Sequence, residues 1–348
     1  MQTDQNDLLQ NQPPSFTVNE ATAIALEHYA VKADASSLWS ERDQNFRLLT
    51  HSGDQFVLKI ANSLESVGVI DFQTRALEHI AKNDPHLPVP RTIVTVNGGD
   101  YCSIHDAQGR SHMVRLISWL DGEIIDEMRI GPELLCEAGR LLAKLGIALC
   151  GFSHPAANHH LIWDLKNSGD LIDLLPNVDE AELRELLEEA LSLFQHRVLP
   201  VIGNLRAQII HADLNRGNIL ISDDESQKIT GIIDFGDMVH TPLIMDPAIA
   251  AAYHLSESGD PLGQSLHLIG GYHEVTPLEP VEAEILLDLM IARLCTSIIV
   301  SAWRVKLYPE NSEYLLIHEQ QTIAALKHAM TSDLEESRGR IMHLCGHA

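Results

Sequence analysis

The sequence is short of basic residues, of paired cysteines and of any apolar leader, and each shortage removes a class of protein. Lys and Arg number 24 against 49 Asp and Glu, a formal charge of -25. That balance disfavours nucleic-acid backbones and anionic membrane surfaces as partners and suits a cationic small molecule. Solubility accounts for the same excess equally well, so charge alone does not choose a function. The five cysteines, at positions 102, 136, 150, 295 and 345, form no Cys-x-x-Cys pair, and an odd number does not suit a fully bridged secreted framework. The opening MQTDQNDLLQNQPPS has no basic stretch followed by an apolar one, and charges interrupt the apolar helices further on. This reads as a cytoplasmic protein without a membrane segment. Repeats, low-complexity tracts and a dinucleotide-binding glycine fingerprint are also missing.

What is present is 348 residues with 45% apolar content, enough for a large core and for two lobes. Residues 1–16 are polar and read as a disordered tail. Thr17 and Glu20 form a capping box, followed by a helical face at Ala21, Ile24, Ala25 and Tyr29. Alternating runs at 35–39, 45–50 and 55–60 predict an antiparallel meander turning at Ser52-Gly53-Asp54. A helix is expected over 71–82, then strands over 91–96, 101–105 and 112–117. Beyond Asp121-Gly122 the pattern turns helical, at 132–150, 178–199, 245–255, 280–307 and 312–331. A strand-rich insert, 209–221 and 229–233, interrupts it around the polar loop 222–228. The stretch Ile285–Val300 is apolar nearly all round and reads as a central buried helix. The fold class is therefore α+β and bilobal: a small antiparallel-sheet N-lobe over 17–118 and a mainly helical C-lobe over 119–348.

The most informative string is His211-Ala212-Asp213-Leu214-Asn215-Arg216-Gly217-Asn218, followed after one short hairpin by Asp234-Phe235-Gly236-Asp237. Phosphoryl transfer to a hydroxyl needs a carboxylate in reach of that hydroxyl and oxygen ligands for the magnesium that neutralises the triphosphate. Asp213, Asn218 and Asp234 are that set. Pairing 219–221 with 229–233 as a hairpin brings Asn218 beside Asp234.

This string resembles the catalytic loop and metal-binding aspartate shared by protein kinases and small-molecule kinases. Its spacing is closest to the aminoglycoside phosphotransferase superfamily, with its protein-kinase-like fold. The resemblance to the hydroxylysine kinases extends through Phe56–Ile60, Ile162–Asn167, Gly231–Met238 and Leu307–Asn311, nearly the whole folded chain. It implies Asp213 as catalytic aspartate, Asn218 and Asp234 as metal ligands, and His211 as a residue that orders the loop. The family normally has Gly where this chain has Ala212, and a positive φ there would cost an alanine about 1 kcal/mol.

Lys59, on the third strand, matches the lysine that reaches nucleotide phosphates. Asp71, with Glu65 as a rival, is the acidic counterpart expected from the crossing helix, although capping equally explains an acid at a helix start. The segment 40–45 between the first two strands, expected to cover the phosphates, contains no glycine, which separates the chain from protein kinases. The backbone at Leu116–Ser118 matches the hinge that recognises the base, and Trp119 beside it suits packing between lobes. Asp164 and Asp237 are candidates for binding substrate ammonium groups, with the segment around Arg304, Tyr308 and Glu310 resembling a further part of the family's acceptor region. The resemblance implies magnesium, GTP or ATP as phosphoryl donor, and 5-hydroxylysine as acceptor. Choline, an aminoglycoside, another amino alcohol or another hydroxylated amino acid would use the same catalytic parts. A nucleotide-binding pseudokinase scaffold is the non-enzymatic alternative, and the oligomeric state is left open.

Overall fold

Thr17 starts the folded chain through the expected capping box. Its hydroxyl accepts the Glu20 N–H at 3.2 Å, and the Glu20 carboxylate accepts the Thr17 N–H at 2.7 Å. The structure, a computed structural model, describes residues 13–40, 42–125, 130–224, 228–309, 316 and 319–347. Most of the expected tail (1–12), Glu41, the tip of the 222–228 loop, and Glu310 and Asn311 lie outside those residues, as does the start of the helix expected over 312–331. The end of the expected tail is corrected: Phe16 is buried in the core, and its N–H is bonded to Gln44 Oε1 at 2.7 Å.

The chain divides into two compact units, one of residues 1–122 with 153–160 and 230–233, the other of 123–152, 161–229 and 234–348. In the first, helix α1 (Val18–Tyr29) precedes the strands β1 (Ala33–Leu38), β2 (Gln44–Thr50) and β3 (Gln55–Ile60). Helix α2 (Val67–Asn83) follows, then β4 (Thr92–Ile93), β5 (Cys102–His105) and β6 (Ser111–Ser118). These strands form one antiparallel sheet in the order β1-β2-β3-β6-β4, with β5 paired to β6.

The apolar stripe of α1 covers one face of that sheet, where Phe46, Leu48, Leu58, Ile60, Val114 and Leu116 are all inaccessible to solvent. Tyr29 ties helix to sheet by donating its hydroxyl to the Val114 carbonyl at 2.9 Å. Because side chains alternate along a strand, Lys59 and Arg115, directly opposite each other on β3 and β6, point to the other face. Helix α2 begins earlier than periodicity predicts, because Ser66 caps it by accepting the Val69 N–H. The strand expected over 91–96 shrinks to two residues, since a tight turn closes between the Thr95 N–H and the Gly99 carbonyl at 2.7 Å.

In the second unit come β7 (Glu123–Ile124), α3 (Pro132–Ala148), a 3-10 segment Leu165–Asn177, and α4 (Ala181–Leu193), which runs on through a π turn at Phe194–Val198. Strands β8 (Ala207–Ile210), β9 (Ile219–Ile221) and β11 (Val239–Pro242) follow, while β10 (Ile229–Ile232), between β9 and β11 in the chain, falls mostly in the first unit. Helices α5 (Met245–Ala252), α6 (Ser265–Val275), α7 (Pro280–Leu307), α8 (Glu319–Thr331) and α9 (Leu334–Leu344) complete the chain. Strand β7 pairs antiparallel with β9, and β11 with β8.

Helix α7 is long and apolar enough to cross a membrane by length and composition, but 83% of its most apolar stretch is buried within the fold. Its hydrophobicity is spent on a core, as the unbroken apolar run predicts. Four charged residues nevertheless lie buried along it: Glu282, Asp288, Arg293 and Arg304.

Helices α3 and α6 touch through backbone. A Cβ on Gly139 would stand 2.0 Å from the Leu268 carbonyl oxygen, and one on Gly271 would stand 2.0 Å from that of Cys136. Gly271→Ala is therefore expected to destabilise the protein by about 1–3 kcal/mol or more, because backbone cannot move aside as a side chain can. Gly339→Ala in α9, where nothing lies within 4 Å of an added methyl, is expected to raise stability by up to about 1 kcal/mol through helix propensity. Thermal melts of both variants check this contrast.

Candidate active site

Between β8 and β9 the chain makes a turn whose side chains and backbone bind one another. His211 is fully buried, its ring edge-on to Phe235 with centroids 4.9 Å apart, and its Nδ1 accepts the Asp213 N–H at 3.3 Å. The imidazole thus orders the loop. Ala212 adopts φ 63°, the left-handed region in which an alanine carries about 1 kcal/mol of strain. That strain is held by a specific bond, because the Ala212 N–H donates to Asp246 Oδ1 at 2.9 Å. Asp246 also takes the His211 N–H, yet burial outweighs both donors and pushes its carboxyl up to about 7.

These contacts present Asp213 in a fixed orientation. Its Oδ2 accepts from Asn215 Nδ2 at 3.0 Å and from Asn218 Nδ2 at 2.8 Å, while its Oδ1 accepts from Arg293 Nη2 at 3.0 Å. Asn218 also donates to the Asp213 carbonyl at 2.8 Å. Burial raises the carboxyl above the ordinary aspartate range; Arg293 opposes that shift, and the negative charges of Asp237 and Asp234 add to it. Arg293 is 3% exposed, donates to the Tyr253 hydroxyl at 2.7 and 3.0 Å, and lies over the rings of Trp163 and Tyr253 at 5.0 and 5.5 Å.

Asp234, two residues beyond β10, is exposed and stands at φ 60°, with its Oδ1 accepting the Gly236 N–H at 3.1 Å. The donor chemistry fits a hard cation. The amide nitrogen of Asn218 is committed to Asp213, which leaves its oxygen as the atom for a metal, and Asp234 adds an accessible carboxylate. Among the described residues no three His, Cys, Asp or Glu side chains converge. A cation held here would complete its shell with phosphate oxygens and water, the pattern magnesium favours.

The remaining sequence-predicted residues divide. Lys59 stands on β3 between Asn45 and Arg115, on the face away from the α1 core. Asp71 is corrected as its partner. It lies in the second turn of α2, where its carboxylate meets His154 Nε2 at 3.1 Å, Arg75 Nε at 3.4 Å and the Tyr101 hydroxyl at 3.4 Å. With Ser66 as the cap, helix initiation does not explain Asp71 either. The cation that α2 does reach is Arg115, bonded to Gln73 at 2.6 Å. Glu65 is pushed up to about 7 by burial, with Arg42 opposing that shift and Asp43 adding to it.

Leu116 is fully buried and stands opposite Leu58 on one side and Ile93 on the other. Ser118, at the end of β6, is half-buried; its N–H donates to the Arg91 carbonyl at 2.8 Å and its hydroxyl accepts the Arg91 N–H at 2.9 Å. Asp164 is corrected too. It is buried, caps the 3-10 segment through the Lys166 N–H, accepts the Thr241 hydroxyl at 2.8 Å and pairs with Lys166 Nζ at 2.8 Å, so its charge is used internally. Asp237 is half-buried and close enough to act on both Asp213 and Arg293. Sequence reasoning missed Asp246 and Arg293. For Arg293 the signal was present, as a charge inside an otherwise apolar helix needs a buried partner.

The sequence pattern of the phosphotransferase enzyme family matches residues 34–278. The chain belongs to that family. As a member it is a small-molecule kinase, and nucleotide and magnesium use is typical of such phosphotransferases. Hydroxylysine kinase of Bos taurus is 34% identical over 332 residues, spanning 87% of this chain and 86% of that protein. The hydroxylysine kinase of Mus musculus is 32% identical over 326 residues, with the same coverage of 87% and 86%. A microcompartment-associated aminopropanol kinase superposes with a TM-score of 0.71 at 20% identity, over 90% of this chain and 98% of that one. At that identity the likeness concerns the fold, a sheet-rich unit and a mainly helical one.

Asp246→Ala leaves the N–H groups of His211 and Ala212 buried without an acceptor, at about 1–3 kcal/mol each. A lowered melting temperature with weakened turnover is expected. The pH dependence has a definite sign. A carboxyl whose folded pKa lies above its unfolded value of 3.8 favours the native state when protonated, so its contribution declines as pH rises from about 4 to about 7. Denaturant unfolding across that range should show the advantage of wild type over Asp246→Asn shrinking with rising pH.

Proposed function

We propose that this phosphotransferase moves the terminal phosphoryl group of GTP or ATP to the side-chain hydroxyl of 5-hydroxy-L-lysine. The observation that carries the acceptor is similarity to hydroxylysine kinases of two mammals, above 30% identity over 87% of the chain. The acidic balance of the protein supports a substrate bearing ammonium groups. In this reading residues 17–118 bind the nucleotide, with Lys59 on the phosphates and the strand end at Ser118 near the base, and residues 119–348 carry the chemistry and the acceptor. Asp237 is the carboxylate assigned to an acceptor ammonium. A cytoplasmic setting agrees with the five cysteines, none of which is in a disulfide.

Asp213 orients the acceptor hydroxyl toward the terminal phosphorus. The new bond joins the acceptor oxygen to phosphorus, the bond from phosphorus to the β-phosphate oxygen breaks, and the hydroxyl proton passes to Asp213. Asn218 and Asp234 hold the cation through their oxygens; magnesium, when bound, neutralises the charge spread over the phosphate oxygens.

Asp213→Asn is expected to lower kcat by at least about 100-fold while nucleotide binding persists, whereas Asp234→Asn should also weaken magnesium-dependent nucleotide binding. Wild-type turnover in either variant would reject the assignment. Lys59→Met should reduce kcat/KM far more than melting temperature; a large loss of stability with normal turnover per folded molecule would make Lys59 structural. For the acceptor, the decisive measurement is phosphorylated product by mass spectrometry. GTP and ATP would each be tested against 5-hydroxylysine, lysine, other hydroxylated amino acids, choline and aminoglycosides. Transfer to 5-hydroxylysine and none to lysine, which lacks the hydroxyl, is expected. Efficient transfer to choline or an aminoglycoside alone would replace the acceptor, and transfer to nothing in the panel would favour a nucleotide-binding scaffold.

A further inference from the structure

Asp213 has an asymmetry that the reaction can use. A carboxylate offers four lone-pair sites, and three here are filled: two on Oδ2 by Asn215 and Asn218, one on Oδ1 by Arg293. The site left to receive a hydroxyl is on Oδ1, the oxygen that Arg293 holds. Arg293 is itself immobilised on every side, by the Tyr253 hydroxyl, by the Trp163 carbonyl at 3.5 Å, and by the faces of both rings.

A buried arginine on a core helix needs a partner, but the buried acids of α7 do not serve as one: Glu282 is held by Arg206 at 2.9 Å. Asp288 is answered by Arg338 at 3.3 Å on Nε and by Arg197 at 3.0 Å. A core alone could equally be built with apolar residues at both positions.

We propose that Arg293 is a positioning residue for phosphoryl transfer, fixing Oδ1 of Asp213 as the atom that meets the acceptor hydroxyl. A neighbouring cation weakens a carboxylate as a base. In a loose, metaphosphate-like transition state the proton moves late, so aim matters more than basicity and the arrangement favours rate. The role belongs to kcat and not to acceptor affinity, because Arg293 is nearly inaccessible and its hydrogen bonds run to the protein.

This inference rests on the reading of Asp213 as the hydroxyl-orienting carboxylate, and a double-mutant cycle separates the two. Arg293→Gln is expected to lower kcat about 10- to 100-fold, with KM for nucleotide and acceptor changing by less than about threefold, as for residues that orient a reacting group. In an Asp213→Asn background the same substitution should cause no further loss, since there is no carboxylate left to aim. Arg293→Lys should recover part of kcat, its single ammonium reaching Asp213 or Tyr253 but not both. Equal fold losses in the two backgrounds, or a raised KM with intact kcat, would overturn the positioning role. Should Arg293→Gln fail to fold, Arg293→Lys is read in the same cycle by the same criteria. An active Asp213→Asn single variant would instead remove the reading of Asp213 itself, whatever Arg293 does.

Discussion

A carboxylate that must stay charged in a half-buried place is the constraint on which the second unit depends. Removing Asp213 from water favours its neutral form, and the nearby charges of Asp237 and Asp234 push the same way. The fold answers with one guanidinium and two side-chain amides placed on specific oxygens. Each donor comes with its own support: Asn215 caps the turn Arg216–Asn218 through the Gly217 N–H, Asn218 ends that turn and bonds to the Asp213 carbonyl, and Arg293 is stacked on two aromatic rings.

The same logic runs one layer deeper. The loop that carries Asp213 includes an alanine in a left-handed conformation, and Asp246 at the start of α5 takes the N–H groups that this geometry turns inward. Local strain of this kind survives only where surrounding structure over-determines it. Helix α7 then joins the site to the core. Its buried Arg293 faces Asp213, while its buried Asp288 holds Arg197 of the π turn and Arg338 of α9. Breaking one side of such a buried pair costs about 3–5 kcal/mol; the helix that organises the apolar core is therefore also committed electrostatically.

The first unit uses a different economy. Its sheet is sealed on one face by apolar packing against α1, and the opposite face carries the cations Lys59 and Arg115 side by side. Two like charges across a strand pair are unfavourable in isolation, and Arg115 is stabilised by Gln73 from α2. Asp71 of that helix is drawn instead into a group with Arg75, Tyr101 and His154.

Much of this was legible in the chain itself. The Thr17–Glu20 box, the alternation through β2 and β3 and the bounds of α7 follow from spacing, because caps and periodicity are local properties. The order of Asp213, Asn218 and Asp234 likewise points to phosphoryl-transfer chemistry from the sequence alone. Helix α6 escaped because its Gly270-Gly271 pair reads as a breaker, whereas Gly271 serves close contact with α3 and Gly270 faces Leu344. Helix α9 escaped because most of it is polar, and β11 because its partner β8 lies some thirty residues back in the chain. What only the tertiary structure decided is who answers which charge. Sequence pointed to Asp71 for Lys59 and left Arg293 inside an apolar run, whereas folding gave Asp71 to His154 and Arg75 and set Arg293 on Asp213, 80 residues away. Ion pairing is governed by distance and burial in three dimensions, and neither quantity is written in the local pattern of the chain.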